Sequence, residues 1–404
     1  MSSDNSNNFI FITNNSFPLG MALSNRILSL SLGMIKNGHA VTVLCIRPTE
    51  VKGDNRIQNP IEGIFEGIHY KYSFQNVRSN SFFKRRTDDF FGILFTFVYL
   101  IKRLVKHKSE IVFFGNSFIF EVLLSIFAKI FGVFVIKEES EIPSIYFRNK
   151  SFPMFRFNVY THIIPRMFSL NAVMTDNLMD FFVNKSIPQK KIIKLPNAID
   201  VDLFEKRAKL FKIESLPNEY IAFSGSLSNK KDGVLTLIEA FNNLSSCFRE
   251  LNLVLMGAGN EKELKEIQVL IDKYNLQSKV KFLGKVNSSY VPYVLCNAKV
   301  LVSLRPPSSQ AFYGFPTKII EYLLSGKPVV TSITGELNKY MIDKENCFIT
   351  TGSKDNVIET IQLVLADNIL ANRIGANGRN LVLKEFNAET IAQTFVKQCI
   401  QNKH

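Results

Sequence analysis

Between Gly314 and Val330 the chain reads Gly-Phe-Pro-Thr-Lys-Ile-Ile-Glu-Tyr-Leu-Leu-Ser-Gly-Lys-Pro-Val-Val. Gly314, Phe315 and Pro316 spell a loop. Thr317 is placed to cap a helix whose first turns carry Lys318 and Glu321. Gly326 ends that helix, and Pro328 leads into the apolar strand Val329-Val330. Backbone N–H groups at a helix start bind an anion well. Glu321 adds an acceptor one turn further in. Amides for phosphates and a carboxylate for ribose hydroxyls together suit a nucleotide sugar.

Three other loops follow apolar runs. In Phe223-Ser224-Gly225-Ser226-Leu227-Ser228-Asn229-Lys230-Lys231-Asp232-Gly233, Gly225 and Ser226 allow close approach to a phosphate, and Lys230 or Lys231 supplies a cation. Such a charged contact is worth roughly 1.5–3 kcal/mol. The same loop also reads as a solvated turn. In Phe17-Pro18-Leu19-Gly20-Met21-Ala22, Pro18 and Gly20 let the backbone turn tightly before a helix, as an ordinary strand-to-helix turn would. Leu255-Met256-Gly257-Ala258-Gly259-Asn260 has the first glycines of a dinucleotide fingerprint but lacks the third. Gly257 therefore reads as part of a strand-end turn near the nucleotide.

Metal and nucleophile chemistry find little footing. Asp200-Val201-Asp202 spells Asp-x-Asp with no third acid nearby, so no metal site is expected. Of the five histidines, only His162 falls in a stretch able to face a crevice. No Gly-x-Ser-x-Gly elbow or metal-type His pair occurs. Five dispersed cysteines, none in a Cys-x-x-Cys pair, argue against a zinc site or a disulfide framework.

The elements that must hold these loops come from the hydrophobic pattern. Strands are predicted near Phe9–Thr13, Val41–Ile46, Ile111–Phe114, Val133–Lys137, Val173–Thr175 and Ile192–Leu195. Helices near Ala22–Lys36, Phe90–Lys106, Ile119–Phe131 and Leu178–Asn184 separate them. A second run has strands near Tyr220–Phe223, Leu251–Met256, Val280–Leu283, Val300–Leu304 and Val329–Ser332. Its helices fall near Leu235–Leu244, Glu261–Tyr274 and Thr317–Leu324. Such alternation predicts α/β architecture, with parallel sheets covered by helices on both faces. Two runs predict two doubly wound domains, each with a ligand crevice at its strand C-termini. The break is placed in the polar stretch Glu205–Asn218, which contains Pro217.

Net charge is +14. Between Arg78 and Lys108 eight basic residues face two acids and flank the apolar run Phe90–Ile101. This reads either as a membrane-surface element or as a core helix with solvated ends. At 12 residues the run is too short to span a bilayer, which takes roughly 20. The polar N-terminus lacks the plan of a signal peptide. A cytoplasmic protein is expected, peripheral on the inner face of the cell membrane. No recognition motif points to nucleic acid.

Taken in order, Phe17-Pro18-Leu19-Gly20-Met21-Ala22-Leu23-Ser24-Asn25-Arg26-Ile27, Gly38-His39-Ala40-Val41, Leu195-Pro196-Asn197-Ala198-Ile199-Asp200, Lys231-Asp232-Gly233 and Pro316-Thr317-Lys318-Ile319-Ile320-Glu321-Tyr322 resemble the retaining glycosyltransferases of family 4. The resemblance covers nearly the whole chain. It implies the GT-B fold: two facing Rossmann-like doubly wound domains with a deep interdomain cleft. Residues 1–205 would bind acceptor, 206–386 would bind donor, and a helix in 387–404 would cross back to the first domain. The implied activity is that of a hexosyltransferase-type glycosyltransferase. It would pass a sugar from UDP- or GDP-sugar to a glycan or lipid-linked acceptor, without metal or cofactor, in bacterial surface polysaccharide biosynthesis.

Carried over by position, Glu321 would hold the ribose and Lys231 the diphosphate. Gly314, Phe315, Pro316, Thr317 and Lys318 would meet the donor, with Gly225, Ser226 and Gly257 around it. Gly20 would let the first domain approach the diphosphate. Lys231, Glu321 and Glu141 form the expected catalytic set; Glu139, Glu141 and His162 are the acceptor-side candidates. The chain departs from the family pattern in three places. Tyr313 stands where its first acid would be, Ser226 where many members place an arginine, and Lys137-Glu138-Glu139-Ser140-Glu141-Ile142-Pro143 where the usual first-domain histidine after a strand would fall. They leave open a non-catalytic nucleotide-sugar-binding relative, or a GT-B nucleotide-sugar epimerase.

Overall fold

The computed structural model describes residues 7–51, 59–106, 109–115, 117–147 and 153–403. His107, Lys108 and His404 lie outside the described residues, as does most of the polar N-terminus. The chain forms two units, Met1–Asp200 with Ala388–His404, and Val201–Asn387.

In the first unit the strands are β1 (Asn8–Thr13), β2 (Ala40–Cys45), β3 (Glu50–Val51), β4 (Glu62–Phe65), β5 (Ile68–Tyr72), β6 (Val77–Arg78), β7 (Glu110–Phe114), β8 (Val135–Glu139), β9 (Leu170–Val173) and β10 (Ile192–Lys194). Eight of them make one sheet in the order β10-β9-β8-β7-β1-β2-β5-β4. Every pair is parallel except β4 with β5. That antiparallel hairpin was missed by the hydrophobic pattern, because its burial alternates and it turns through Glu66-Gly67 at positive φ. The central strands β1, β7 and β8 are buried almost throughout, as a sheet covered on both faces requires.

The second unit carries β11 (Tyr220–Ser226), β12 (Asn252–Ala258), β13 (Val280–Gly284), β14 (Val300–Ser303), β15 (Val329–Thr331) and β16 (Phe348–Ile349). They form a parallel sheet in the order β13-β12-β11-β14-β15-β16. The strand order reverses beside β11, so loops from β11 and β14 diverge there and leave room for a ligand. Helices Lys354–Ala366 and Asn368–Glu385, not predicted from the pattern, complete this unit.

The division falls at Asp200–Val201, ahead of the expected break after Glu205. Helix Val201–Leu210 packs on helix Val291–Asn297, and Glu205 pairs with Arg379. The stretch around Pro217 is thus a connector inside the second unit. Helix Ala388–Gln401 belongs to the first unit and packs against helix Ala22–Lys36. A Cβ on Gly33 would come within 2.2 Å of the Ala388 carbonyl oxygen, so the two helices meet backbone to backbone.

The basic, apolar segment is one helix, Phe82–Lys106, longer at its start than predicted. Its inner edge is narrow and partly polar. Asp88, Thr96 and Leu100 are buried. A Cβ on Gly92 would lie 2.0 Å from the Ile46 carbonyl oxygen, so the helix is seated directly on the end of β2. Its outer face carries Phe83 at 81% exposure and Phe90 at 63%. Helix Phe118–Phe131 likewise exposes Ile119 and Ile130. Phe97 joins the two helices through the rings of Phe120 and Phe127. Among the described residues no helix is long and apolar enough to cross a membrane.

Candidate active site

In the second unit the site is built at the end of β11. Gly225 and Ser226 close that strand, and the turn Asn229–Asp232 returns over it. Asp232 is buried. Its Oδ2 accepts a hydrogen bond from the Ser226 N–H at 3.1 Å, and its Oδ1 lies 2.7 Å from Lys318 Nζ. The Lys318 ammonium also sits 4.7 Å from the centroid of the Phe223 ring. A Cβ on Gly225 would be 2.5 Å from that nitrogen, so glycine here makes room for Lys318. Burial pulls the Lys318 pKa down, Asp232 holds it up, and Arg305 and Lys231 lower it further. Three cations thus share one small region around one fixed carboxylate.

Tyr322 locks the helix that carries Lys318. Its hydroxyl accepts from the Ser224 N–H at 2.6 Å and donates to the Ser224 carbonyl at 3.1 Å. This pins helix Thr317–Leu324 to β11. The helix start differs from expectation in one respect. Pro316, not Thr317, occupies the cap position, and no side chain caps the helix. The Ile319 N–H is taken by the Pro316 carbonyl, leaving Thr317 and Lys318 to present the leading amides. Glu321 follows one turn later. Burial pushes its carboxyl up to about 7, against the opposing pull of Arg207.

Several predicted contacts serve other purposes. Phe315 points into the core, with its ring against Tyr340 and Phe386. Only its backbone is left for a ligand. A Cβ on Gly257 would fall 1.7 Å from the Gly225 carbonyl oxygen, so that glycine serves the close approach of β12 to β11. The turn after it starts helix Glu261–Lys273 with an Asn260–Glu263 capping box. Gly314 ends the short helix Ser309–Tyr313. Lys231 is exposed on the Asn229–Asp232 turn.

The sequence reading missed Arg305. It lies two residues past the end of β14, is 8% exposed, and donates from Nη2 to the Gln310 carbonyl at 3.1 Å. With Asn229 and Gly233 it lines a cavity of about 430 Å³ at the ends of β14, β15 and β16. An arginine just past the largely apolar run Val300–Leu304, where a strand of a parallel sheet ends, was the available signal.

In the first unit, Gly20 lies in a braced loop. A Cβ there would come within 2.2 Å of Ser24 Oγ and 2.6 Å of Ser16 Oγ. Asn59 holds the loop from the other side. Its Oδ1 accepts from the Leu19 N–H at 3.0 Å, and its Nδ2 donates to the Leu19 carbonyl at 2.9 Å.

The acids at the end of β8 and just beyond it part company. Glu138 pairs with Arg26 at 3.0 Å, and Arg26 also donates to the carbonyls of Leu195 and Pro196. Glu139 faces a closed pocket. Lys137 Nζ lies 2.7 Å from Glu139 Oε1 and 2.9 Å from Glu121 Oε2, beneath the ring of Tyr160. Burial pushes the Glu139 carboxyl up to about 7; Lys137 opposes this and Glu121 adds to it. At 1% exposure Glu139 is part of the core, which corrects its reading as an acceptor-facing acid. Glu141, in the bend after β8, is half-buried. His162 bonds back to its own helix, its Nδ1 lying 3.0 Å from the Asn158 carbonyl oxygen. Asp200 is paired with Lys36 at 2.8 Å. Among the described residues no group of three or more His, Cys, Asp or Glu side chains is placed to hold a metal.

Residues 205–381 match the family described as glycosyl transferases group 1. Over 191 residues the chain is 22% identical to a phosphatidyl-myo-inositol mannosyltransferase of Mycobacterium leprae, covering 47% of this chain and 48% of that protein. The chain thus spans about half the length of this curated relative. Among solved structures, Anabaena HepE in complex with UDP superimposes with a TM-score of 0.68 at 17% identity, covering 98% of this chain and all of that one. Sucrose-phosphate synthase of Thermosynechococcus elongatus gives 0.74 at 19% identity, covering 98% of each chain. The fold is GT-B, with parallel sheets in two Rossmann-like units.

Proposed function

We propose that this protein is a retaining, metal-independent glycosyltransferase that moves a hexosyl group from a UDP- or GDP-sugar to a glycan or lipid-linked acceptor. The observation that carries the reading is the Lys318–Asp232 pair under Gly225, set at the start of a helix that bears Glu321. The second unit takes the donor. Leading amides of Thr317 and Lys318, with Lys231, Lys318 and Arg305, supply positive charge for the departing diphosphate. Glu321 accepts from the ribose hydroxyls. The anomeric C–O bond to the diphosphate breaks while a bond to an acceptor oxygen forms on the same face. Glu141, the half-buried acid of the first unit, is the candidate to take the acceptor's hydroxyl proton.

UDP is the first nucleotide to test, because HepE was solved with it. The mannosyltransferase similar to this chain is named for phosphatidyl-myo-inositol, a lipid, which supports a lipid-linked acceptor here. Phe83 and Phe90 on the basic helix Phe82–Lys106 supply the surface for peripheral contact with an anionic membrane, on the cytoplasmic face. Surface polysaccharide assembly is the process this combination serves.

The test begins with calorimetry of UDP and GDP, followed by turnover of their sugars with lipid-linked acceptors. Transfer with retained anomeric configuration is expected. Nucleotide binding with no turnover on any acceptor would assign a non-catalytic sugar-nucleotide holder instead. An altered sugar on intact nucleotide would assign an epimerase.

A further inference from the structure

A second cavity, of about 480 Å³, opens in the first unit at the carboxyl ends of β1 and β2. Arg47 borders it just after β2, Arg78 from the end of β6, and Arg85 and Arg86 from the first turn of helix Phe82–Lys106. Asp88 and Asp89 are the acids in its wall. Four guanidinium groups against two carboxylates leave the cavity positive.

The acids do not neutralise it. Asp89 is shared, with Oδ1 3.3 Å from Arg47 Nε and Oδ2 3.9 Å from Arg86 Nη1. Among the described residues Arg78 and Arg85 have no acidic partner within ion-pair distance. Arg47 Nε is shut off from water and donates no hydrogen bond. Planar forks of N–H donors around a space this size match the oxygens of a phosphate or diphosphate, and match poorly a neutral sugar.

Two neighbours say which phosphate. Asn14, Asn15 and Ser16 line the cavity from the loop that continues to Gly20. Phe82 lines it too, is 56% exposed, and begins the helix whose outer face carries Phe83 and Phe90. A charged chamber therefore runs directly into an apolar surface.

We propose that this cavity holds the phosphate of a lipid-linked acceptor, whose tail leaves over Phe82 along the outer face of helix Phe82–Lys106. Naming the ligand an acceptor rests on the transferase reading; the anion site itself does not.

The experiment is calorimetric titration of the full chain with farnesyl phosphate below its micelle concentration. Farnesol, glucose 6-phosphate and inorganic phosphate serve as comparison probes, and UDP is titrated separately. Farnesyl phosphate should bind, and Arg85→Ala and Arg47→Ala should each weaken it about ten-fold or more. Arg85→Lys should recover part of the loss, and UDP affinity should stay as in the wild type. Arg85 is half-buried, and its Nη1 donates to the Asn80 carbonyl at 3.3 Å; it lies outside the core, so its variants test the site even where Arg47→Ala disturbs folding. Undiminished binding in Arg85→Ala, or farnesol binding as tightly as its phosphate, overturns the proposal. Glucose 6-phosphate matching farnesyl phosphate overturns the lipid part and assigns a soluble phosphate. UDP binding without farnesyl phosphate binding removes this site and leaves the donor reading standing. Arginine-dependent farnesyl phosphate binding without UDP binding does the reverse.

Discussion

Replacing Glu321 with Gln should make the protein more stable at neutral pH and poorer at holding nucleotide. Burial raises this carboxyl from 4.5 to about 7. Between those values the folded chain keeps a proton that the unfolded chain has released. Stability therefore falls as pH rises through that window, and the loss is complete above pH 7. A displacement from 4.5 to about 7 corresponds to a loss of about 3 kcal/mol at most, reduced by whatever water reaches the half-buried carboxylate. Glutamine fills the same volume and has no proton to lose. In urea unfolding the variant should match the wild type near pH 4.5 and exceed it by up to about 3 kcal/mol at pH 8. Glu139 also titrates near 7, but it is present in both proteins and cancels in the comparison. Calorimetry with UDP is the second arm. Wild-type affinity should climb as pH passes 7 and the carboxylate forms. The variant should stay flat and lie about ten-fold weaker at pH 8. Parallel stability curves for the two proteins would mean that Glu321 is ordinarily solvated. Equal UDP affinity at pH 8 would mean that it does not hold the ribose.

Further outcomes follow from single contacts. Tyr322→Phe leaves the Ser224 N–H and carbonyl without their partner, and should cost about 2–4 kcal/mol in denaturant unfolding. Lys137→Met strands Glu121 and Glu139 in the core and should cost about 3–5 kcal/mol at pH 8. That cost should shrink toward pH 5 as the Glu139 carboxyl takes up a proton, and a pH-independent loss would refute the ion-pair account. Lys231→Ala should weaken UDP about ten-fold with unfolding unchanged, since its side chain is exposed. Phe83→Ser with Phe90→Ser should abolish flotation with anionic vesicles at low salt while leaving UDP binding intact; undiminished flotation would move the membrane contact elsewhere.

The alternation of β-branched runs with amphipathic stretches was enough to expect two parallel sheets with helices between them. That regularity survives in one dimension, because a strand covered on both faces must be apolar along its length, as Glu110–Phe114 and Val300–Ser303 are buried. The loop–helix–strand order from Gly314 to Val330 was equally legible, since glycine and proline punctuate it. The hairpin Glu62–Phe65 with Ile68–Tyr72 was not, because at an edge the pattern is short and half polar.

What side chains do to one another was decided only by folding. A sequence shows that Lys318, Asp232 and Gly225 exist, not that the glycine vacates the volume the ammonium fills. Glu139 read as an acceptor-side acid, yet the sheet and helix Phe118–Phe131 close over it together with Lys137 and Glu121. Arg47, Arg78, Arg85 and Arg86 are spread along the chain and gather around one cavity because two parallel strands end side by side beneath the start of a helix. Composition sets which residues are available and periodicity sets their elements. Burial and distance, which fix charge states and ligand sites, arise only when distant segments meet and exclude water between them.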